Sequence, residues 1–194
     1  MVRGGLFYGG NALSGANLAN DVGSGYRFGY FDGDLTFQLL GYTSETTVSM
    51  VKTQNVYYGS GYYDSKTSDI AVGCYHLQLP QTYATFEEAS AAAAQYSDGF
   101  PAWIDGRYYV RVGAYLDSTS AQAAQASLGL TGATVAGTSG AGISVVKTGT
   151  NTGLFQFDST SGLYLAVKPG RDDTVKAETY FRGYSYFGAF EYRR

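Results

Sequence analysis

The chain contains few of the residues that most often build catalytic and metal centres. Of its 194 residues, one is a cysteine (Cys74) and one is a histidine (His76). A single cysteine excludes an internal disulfide framework and a multi-cysteine metal site. A single histidine argues against a His-rich metal centre and against a Ser-His-Asp relay. We therefore expect neither a metal nor a cofactor.

Charge and long apolar runs are also scarce. The formal net charge is −3, so no basic field would steer the chain to nucleic acid. No run of 18 apolar residues occurs in the sequence, whereas a transmembrane helix needs about 20. We therefore expect neither a nucleic-acid partner nor a membrane-spanning segment.

Glycine and tyrosine, in contrast, are abundant. The 27 glycines and 19 tyrosines, with only three prolines, predict short strands, tight turns and an aromatic-rich surface. Such a composition is common in secreted modules that face carbohydrate. No apolar signal segment precedes the first strand pattern, and a strand pattern at 190–194 runs to the last residue. We therefore expect either a cytosolic protein or a chain from which a signal peptide has been removed. Because the end is also abrupt, we expect a fragment of a longer protein that is extracellular or cell-wall associated, with its signal peptide removed.

Three stretches of the chain differ in pattern. Residues 1–71 and 148–194 consist of strand-like runs with glycine-rich breaks. Residues 72–147 follow the order β-α-β-β-α-β, which predicts one antiparallel sheet with two helices on one face. The predicted fold class is therefore α+β: mostly β-hairpins that flank an inserted ferredoxin-like βαββαβ unit. We expect 148–194 to pack with 1–71, because insertion is tolerated where the ends of a domain lie close together.

Local signals predict where individual elements begin and turn. Asp32-Gly33, between two strand-like runs, predicts a tight hairpin turn, and a second hairpin is predicted over 154–167. Thr85, followed three residues later by a glutamate, predicts a capping box at the start of the first helix. Thr119, followed three residues later by a glutamine, predicts the same for the second helix.

Strand alternation identifies a candidate binding face. In the run 107–116, Tyr108 and Val110 point toward the helices, whereas Tyr109 and Arg111 point away from them. Flat rings can stack on the C–H groups of a sugar, and Gln and Arg can donate hydrogen bonds to hydroxyl and N-acetyl oxygens. Extended to the neighbouring strands, the alternation gives five candidate glycan-binding residues: His76, Gln78, Trp103, Tyr109 and Arg111.

Two segments of the middle stretch carry a family resemblance. The first is Tyr-Val-Arg-Val-Gly-Ala-Tyr at 109–115, followed by Ser118 and the alanine-rich run 121–128. The second is Leu-Gln-Leu at 77–79, followed by the predicted helix at 86–96. Together they resemble the SPOR domain family of bacterial cell-division and cell-wall proteins.

The SPOR resemblance implies both a fold and a ligand. It implies a ferredoxin-like sheet that binds peptidoglycan glycan strands stripped of their peptides. Binding would use the sheet face away from the helices, which is the face that the alternation also indicates. The resemblance implies binding positions at Gln78, Tyr109 and Arg111.

The two ends of the chain carry a second resemblance. Phe-Gly-Tyr-Phe-Asp at 28–32, with the late segments 180–183 and 190–194, is similar to the N-terminal part of secreted stage II sporulation protein D/LytB-family proteins. In that family the late segment leads into the glycan-cleaving domain. The resemblance therefore implies that a catalytic domain, if the protein has one, lies C-terminal to this chain.

The expected function is non-catalytic binding of peptidoglycan glycan strands, which targets a cell-wall or sporulation-related protein to the bacterial cell wall, with cell-wall proteins as further partners. One alternative is a protein–protein interaction scaffold that uses the same sheet face. The other is a glycan-cleaving enzyme, which needs a pair of carboxylates or one acid of raised pKa in a cleft. Asp98, Asp105 and Asp117 all fall in predicted turns, and no pair stands out.

Overall fold

The computed structural model describes residues 12–20, 24–137, 141–170 and 178–192. Of these residues, 52% lie in strands and 11% in helices. The helices are α1 (Phe86–Ala93) and α2 (Ser118–Leu128). The strands are β1 (Gly15–Ala19), β2 (Tyr26–Phe31), β3 (Phe37–Thr43), β4 (Thr47–Lys52), β5 (Val56–Gly59), β6 (Tyr62–Asp64), β7 (Ile70–Val72), β8 (Tyr75–Tyr83), β9 (Gly99–Ile104), β10 (Arg107–Tyr115), β11 (Thr134–Ala136), β12 (Ile143–Lys147), β13 (Gly153–Asp158), β14 (Leu165–Pro169), β15 (Glu178–Phe181), β16 (Tyr184–Phe187) and β17 (Phe190–Tyr192).

These strands form three sheets. The largest has ten strands in the order β11-β8-β10-β9-β13-β12-β4-β1-β15-β16. The second has four strands in the order β17-β14-β2-β3, and the third has three in the order β6-β5-β7. Neighbouring strands in the described ranges are antiparallel, except that β9 and β13 are parallel. The architecture is therefore mostly β, built around one large mixed sheet.

The predicted α+β class with an inserted ferredoxin-like unit is wrong. The elements from β8 to β11 occur in the order β-α-β-β-α-β, but their four strands are one end of the ten-stranded sheet. The sheet continues through the parallel pairing of β9 with β13, in which Phe157 lies opposite Trp103. The physical reason is the composition of β9, Gly-Phe-Pro-Ala-Trp-Ile. If β9 were the edge of the sheet, this apolar strand would expose unpaired backbone groups to which another strand could bind.

Both predicted hairpins differ from the structure. The hairpin over 154–167 is wrong, because β13 pairs with β12 and β9 whereas β14 pairs with β2 and β17, in a different sheet. Strands β2 and β3 do pair, but through a longer turn in which Leu35, and not Gly33, has a positive φ, of 60°. Asp32 closes this turn by accepting hydrogen bonds from two backbone N–H groups within it.

The main core contains residues from both the ten-stranded and the four-stranded sheet. We call the face of the ten-stranded sheet that carries Phe155 and Phe157 the core face. Phe155 stacks on Phe28 of β2, with ring centroids 5.2 Å apart. Tyr108 of β10 donates a hydrogen bond of 2.6 Å to the carbonyl oxygen of Leu40 in β3. Aromatic stacking and a satisfied buried hydroxyl thus join the two sheets.

The two helices pack on the end of the core face that β8 and β10 form. Ala93 of α1 and Ala121 of α2 share a buried cluster with Leu77, Val110 and Val112. Small alanine side chains let a helix lie close to the sheet. Among the described residues, no helix is long and apolar enough to cross a membrane.

The helix starts show one correct and one incorrect prediction. Thr85 caps α1, since its hydroxyl accepts a hydrogen bond of 3.2 Å from the N–H of Glu88. Thr119 does not cap α2, because the helix begins earlier, after Asp117. The Asp117 carboxylate accepts the N–H of Ser120 at 2.6 Å. Aspartate is among the best N-cap residues, so it starts the helix and leaves Thr119 inside the first turn.

We call the opposite side of the ten-stranded sheet the polar face. Its central part is covered by the three-stranded sheet, in which Val56, Tyr63 and Val72 pack on Val51 of β4 and Val146 of β12. The strands on one side of this cover, β8, β10 and β13, carry polar side chains on the same face. Their arrangement forms the candidate site.

Candidate functional site

Strands β8 and β10 bring three of the predicted residues together on the polar face. Tyr109 and Arg111 are two residues apart on β10 and therefore point the same way. Gln78 of β8 lies directly opposite Arg111, and residues opposite each other share a face. All three are partly exposed. We call Gln78, Tyr109 and Arg111 the open patch.

Hydrogen bonds hold the Arg111 guanidinium on the sheet. Its Nε and Nη2 donate to Oε1 of Gln78, at 3.0 and 2.8 Å. Its Nη1 donates to Oε1 of Gln156, which lies on β13. The guanidinium is therefore clamped between two carboxamides from different strands. Because the group is planar, this clamp also fixes the direction of its remaining N–H groups.

Gln156 also belongs to the candidate site, although the sequence analysis does not predict it. It is 1% exposed, and its Nε2 lies 2.8 Å from Oγ of Ser144 and 3.2 Å from Nε2 of His76. Part of the signal was in the sequence, since Gln156 stands between Phe155 and Phe157 and alternation puts it on the opposite face from them. Its place in the site depends on the pairing of β9 with β13, for which no local pattern exists.

His76 lies on the polar face but is buried, at 3% exposed. Its Nδ1 lies 2.7 Å from the carbonyl oxygen of Gly113. Since a carbonyl can only accept, Nδ1 carries the hydrogen, and Nε2 accepts one from the Gln156 amide. Burial lowers the pKa of His76 to about 4, with the Gly113 bond opposing this and the Arg111 charge adding to it. The imidazole is therefore neutral at pH 7. It helps to hold the Gln156 carboxamide in place beneath the exposed residues of the site.

The predicted outward orientation of Trp103 is wrong. The register of β9 with β10 places Trp103 opposite Tyr108, so the indole shares the core face with it. Trp103 is 8% exposed. Its ring stacks on Phe157 at a centroid distance of 5.4 Å and lies 5.7 Å from the ring of Tyr30. Alternation within β9 could not settle this orientation, because the strand is apolar on both faces.

The Arg111 charge has only neutral groups in hydrogen-bond contact. Burial lowers the pKa of Arg111 to about 10, while Asp158 and Tyr109 act in the opposite direction. The guanidinium is therefore still protonated at neutral pH. Among the described residues, no carboxylate lies within 4 Å of it, so Asp158 acts only at longer range. Among the residues that the structure describes, the site thus holds one partly buried positive charge without a negative charge paired to it.

The polar face leaves almost no space beside His76. The cavity beside His76 has a volume of about 10 Å³, and a single water needs about 10–15 Å³. A ligand therefore cannot reach the imidazole. Tyr109, Gln78 and Arg111 form instead a shallow surface that a flat ligand can approach.

Two larger grooves lie away from the predicted residues. One, of about 780 Å³, is lined by parts of α1, β2 and β3, including Arg27, Tyr42 and Glu87. The other, of about 720 Å³, lies at the β5–β6 and β15–β16 turns and includes Tyr62 and Arg182. Among their described lining residues, neither groove has the two carboxylates that glycoside cleavage commonly uses.

The open patch offers hydrogen-bond donors, one positive charge and one aromatic ring, which together suit binding. Within the part of the chain that the structure describes, no group of three or more His, Cys, Asp or Glu residues could hold a metal ion.

In comparisons with known proteins, no family model matches the chain, and neither a curated protein nor a solved structure matches it significantly.

Proposed function

We propose that this chain is a non-catalytic module that binds the glycan strands of peptidoglycan and so targets a cell-wall or sporulation-related protein to the bacterial cell wall. The observation that carries the proposal is the open patch, where hydrogen bonds hold Gln78 and Arg111 in place beside Tyr109. Groups that are already ordered lose little entropy when a ligand binds. In this proposal the protein acts outside the cell or in the wall.

Each side chain of the open patch has a defined part in binding. The Tyr109 ring stacks on the C–H face of a sugar. The Gln78 amide nitrogen, which has no acceptor among the described residues, donates to a hydroxyl or N-acetyl oxygen. Arg111 contributes the N–H groups that Gln78 and Gln156 leave unused.

The shallow shape of the patch predicts weak binding to a single short ligand. Three side chains bury little area, and small contact areas give low affinity. A wall presents many parallel strands, which raises the local concentration of sites. We therefore expect intact wall to retain the protein better than a soluble disaccharide does.

The SPOR resemblance supports the same ligand. Residues 77–79 and 109–115, with the helical runs that follow them, carry it, and the binding positions that it implies are Gln78, Tyr109 and Arg111. These are the three residues of the open patch. The remaining two candidates, His76 and Trp103, are buried, and we assign them no contact with the glycan.

Co-sedimentation with purified peptidoglycan tests the proposal. The wall is used before and after an amidase removes its stem peptides, and the bound fraction is measured as a function of protein concentration. We expect binding to increase after stripping, because the peptides no longer obstruct a shallow patch. Absence of binding to both forms would contradict the proposal, as would lysis of the wall by the chain alone.

Two tyrosine variants locate the binding surface. Tyr109→Ala removes the stacking ring and should weaken binding about two- to tenfold. Tyr184→Ala removes a ring that is 71% exposed on β16, seven strands from β10 in the sheet order, and should leave binding unchanged. Equal loss in both variants would show that any exposed tyrosine contributes and that the open patch is not the site.

A further inference from the structure

The Arg111 guanidinium has two N–H groups that the protein does not use. It carries five, one on Nε and two on each terminal nitrogen. Gln78 takes one from Nε and one from Nη2, and Gln156 takes one from Nη1. One N–H on Nη1 and one on Nη2 are therefore left without an acceptor among the described residues. Arg111 is partly exposed, so a ligand can approach it.

The groups in hydrogen-bond contact with Arg111 hold it in place without neutralising its charge, and the Asp158 carboxylate acts on it only from beyond 4 Å. Both of its acceptors are carboxamide oxygens, which carry no net charge. Elsewhere in the chain a cation does have a paired acid, since Lys147 lies 3.1 Å from Glu45. A partly buried positive charge is costly unless it is paired. An anionic ligand would supply the missing partner.

Gln156 can present only one end of its carboxamide to Arg111. Its NH₂ group faces the Oγ of Ser144 and the Nε2 of His76. The His76 nitrogen must accept, because Nδ1 already donates to the Gly113 carbonyl oxygen. The Oε1 of Gln156 therefore points to Arg111. In the flipped amide, the NH₂ group would face the N–H donors of Arg111 and the oxygen would face the accepting nitrogen of His76. His76 and Gln156 act as positioning residues for the guanidinium.

We infer that the open patch recognises a carboxylate on its glycan, with Arg111 donating the two unused N–H groups to it. This inference rests on the proposed function. In peptidoglycan the stem peptide is attached by an amide bond to a lactyl group of the sugar. Hydrolysis of that bond by an amidase leaves a free lactyl carboxylate on the strand. Removal of the stem peptides would thus favour binding in two ways, because it opens access to the patch and because it creates the carboxylate that Arg111 recognises.

A chemical change to the ligand tests the inference with the unmodified protein. Amidase-stripped glycan is divided into two portions, and in one portion the carboxylates are converted to neutral methylamides with a carbodiimide and methylamine. We expect the neutral glycan to bind about tenfold or more weakly, because a charged hydrogen-bonded contact is lost. Binding to the charged glycan should also weaken as salt rises.

The outcomes separate the inference from the proposed function. Equal binding of the charged and neutral glycans would overturn the carboxylate inference and leave glycan binding in place. Absence of binding to either glycan would overturn both. A mechanism based only on steric access predicts equal binding, because methylamides are much smaller than stem peptides.

A variant within the patch gives a second test. Gln78→Glu keeps an oxygen that can accept both Arg111 hydrogen bonds and adds a negative charge beside the guanidinium. We expect the ratio of charged to neutral glycan binding to fall to about one, since Arg111 is then already paired. Gln122→Glu places the same change on an exposed position of α2 and should leave the ratio at its unmodified value. A high ratio retained in Gln78→Glu would contradict the role of Arg111.

Discussion

The two faces of the ten-stranded sheet are built in different ways from the same strands. On β10, Val110 and Val112 point into an apolar cluster with alanines of both helices, whereas Arg111 between them points into a hydrogen-bond network. The core face is stabilised by burial of apolar area, which is largely non-directional. Around His76 and Gln156 the polar face is buried with its donors paired to acceptors. The comparison shows that one strand can bury apolar side chains on one side and hold a charged side chain by hydrogen bonds on the other.

The largest change in the free energy of unfolding should come from a substitution on the core face. Phe155 is fully buried and stacks on Phe28. Phe155→Ala should lower the free energy of unfolding by about 3–5 kcal/mol, because it leaves a large cavity. Urea denaturation followed by fluorescence measures this, with Tyr184→Ala as the exposed control, which should stay within ~0.5 kcal/mol. A small loss in Phe155→Ala would show that the two sheets do not share this core.

Loss of hydrogen bonds on the polar face should lower the free energy of unfolding even when the substituted side chain has a similar volume. Gln156→Leu keeps a similar volume but removes the partners of Arg111, His76 and Ser144. We expect a loss of about 2–4 kcal/mol, because several buried polar groups become unsatisfied. The matched change Gln122→Leu, at an exposed position, should be nearly neutral in the same denaturation experiment. If both variants were equally stable, the network would contribute nothing to the fold.

The neutral state of His76 predicts a pH dependence that belongs to the polar face. The folded-state pKa is about 4, below the ordinary value of 6.5, so the unfolded chain binds the proton more tightly. Stability from this group is therefore complete above pH 6.5 and falls as the pH decreases toward 4. Between pH 7 and 4.5 the loss should be about 2–3 kcal/mol. His76→Gln should lack this part of the pH dependence, and an unchanged slope would contradict the assignment.

The smallest effect concerns the helices on the core face. Thr85→Ala removes the N-cap of α1 and should cost about 1 kcal/mol. Thr119→Ala changes a threonine inside the first turn of α2 and should be neutral or slightly stabilising, since alanine has the higher helix propensity. Thermal unfolding of the two variants makes the comparison. A larger loss of stability in Thr119→Ala than in Thr85→Ala would show that Thr119 caps α2 after all.

Sequence reasoning succeeded where the determining contacts lie within a few residues. The cap at Thr85 and the predicted turn that contains Asp105, where Asp105 and Gly106 have φ values of 46° and 92°, follow from local chemistry. Alternation along β10 correctly separated Val110 from Arg111. Each of these features depends on the geometry of one strand, one turn or one helix end.

The failures share a different cause. Alternation predicts the wrong face for Trp103, because the orientation of this side chain depends on the register of β9 with β10. The hairpin at 154–167 failed because β13 and β14 find separate partners far away in sequence. Gln156 was missed for the same reason. Apolar strands such as β9 have no alternating pattern from which to read a face.

The sequence by itself determined which side chains alternate along β10, where α1 begins, and that Tyr109 and Arg111 would share a face. These follow from backbone geometry over a few residues. Only the tertiary structure decided that β13 would pair with β9, bring Gln156 to Arg111 and bury Trp103 against Phe157. Such pairings join segments more than 40 residues apart. They are selected by the burial of whole faces and edges, which no short stretch of sequence encodes.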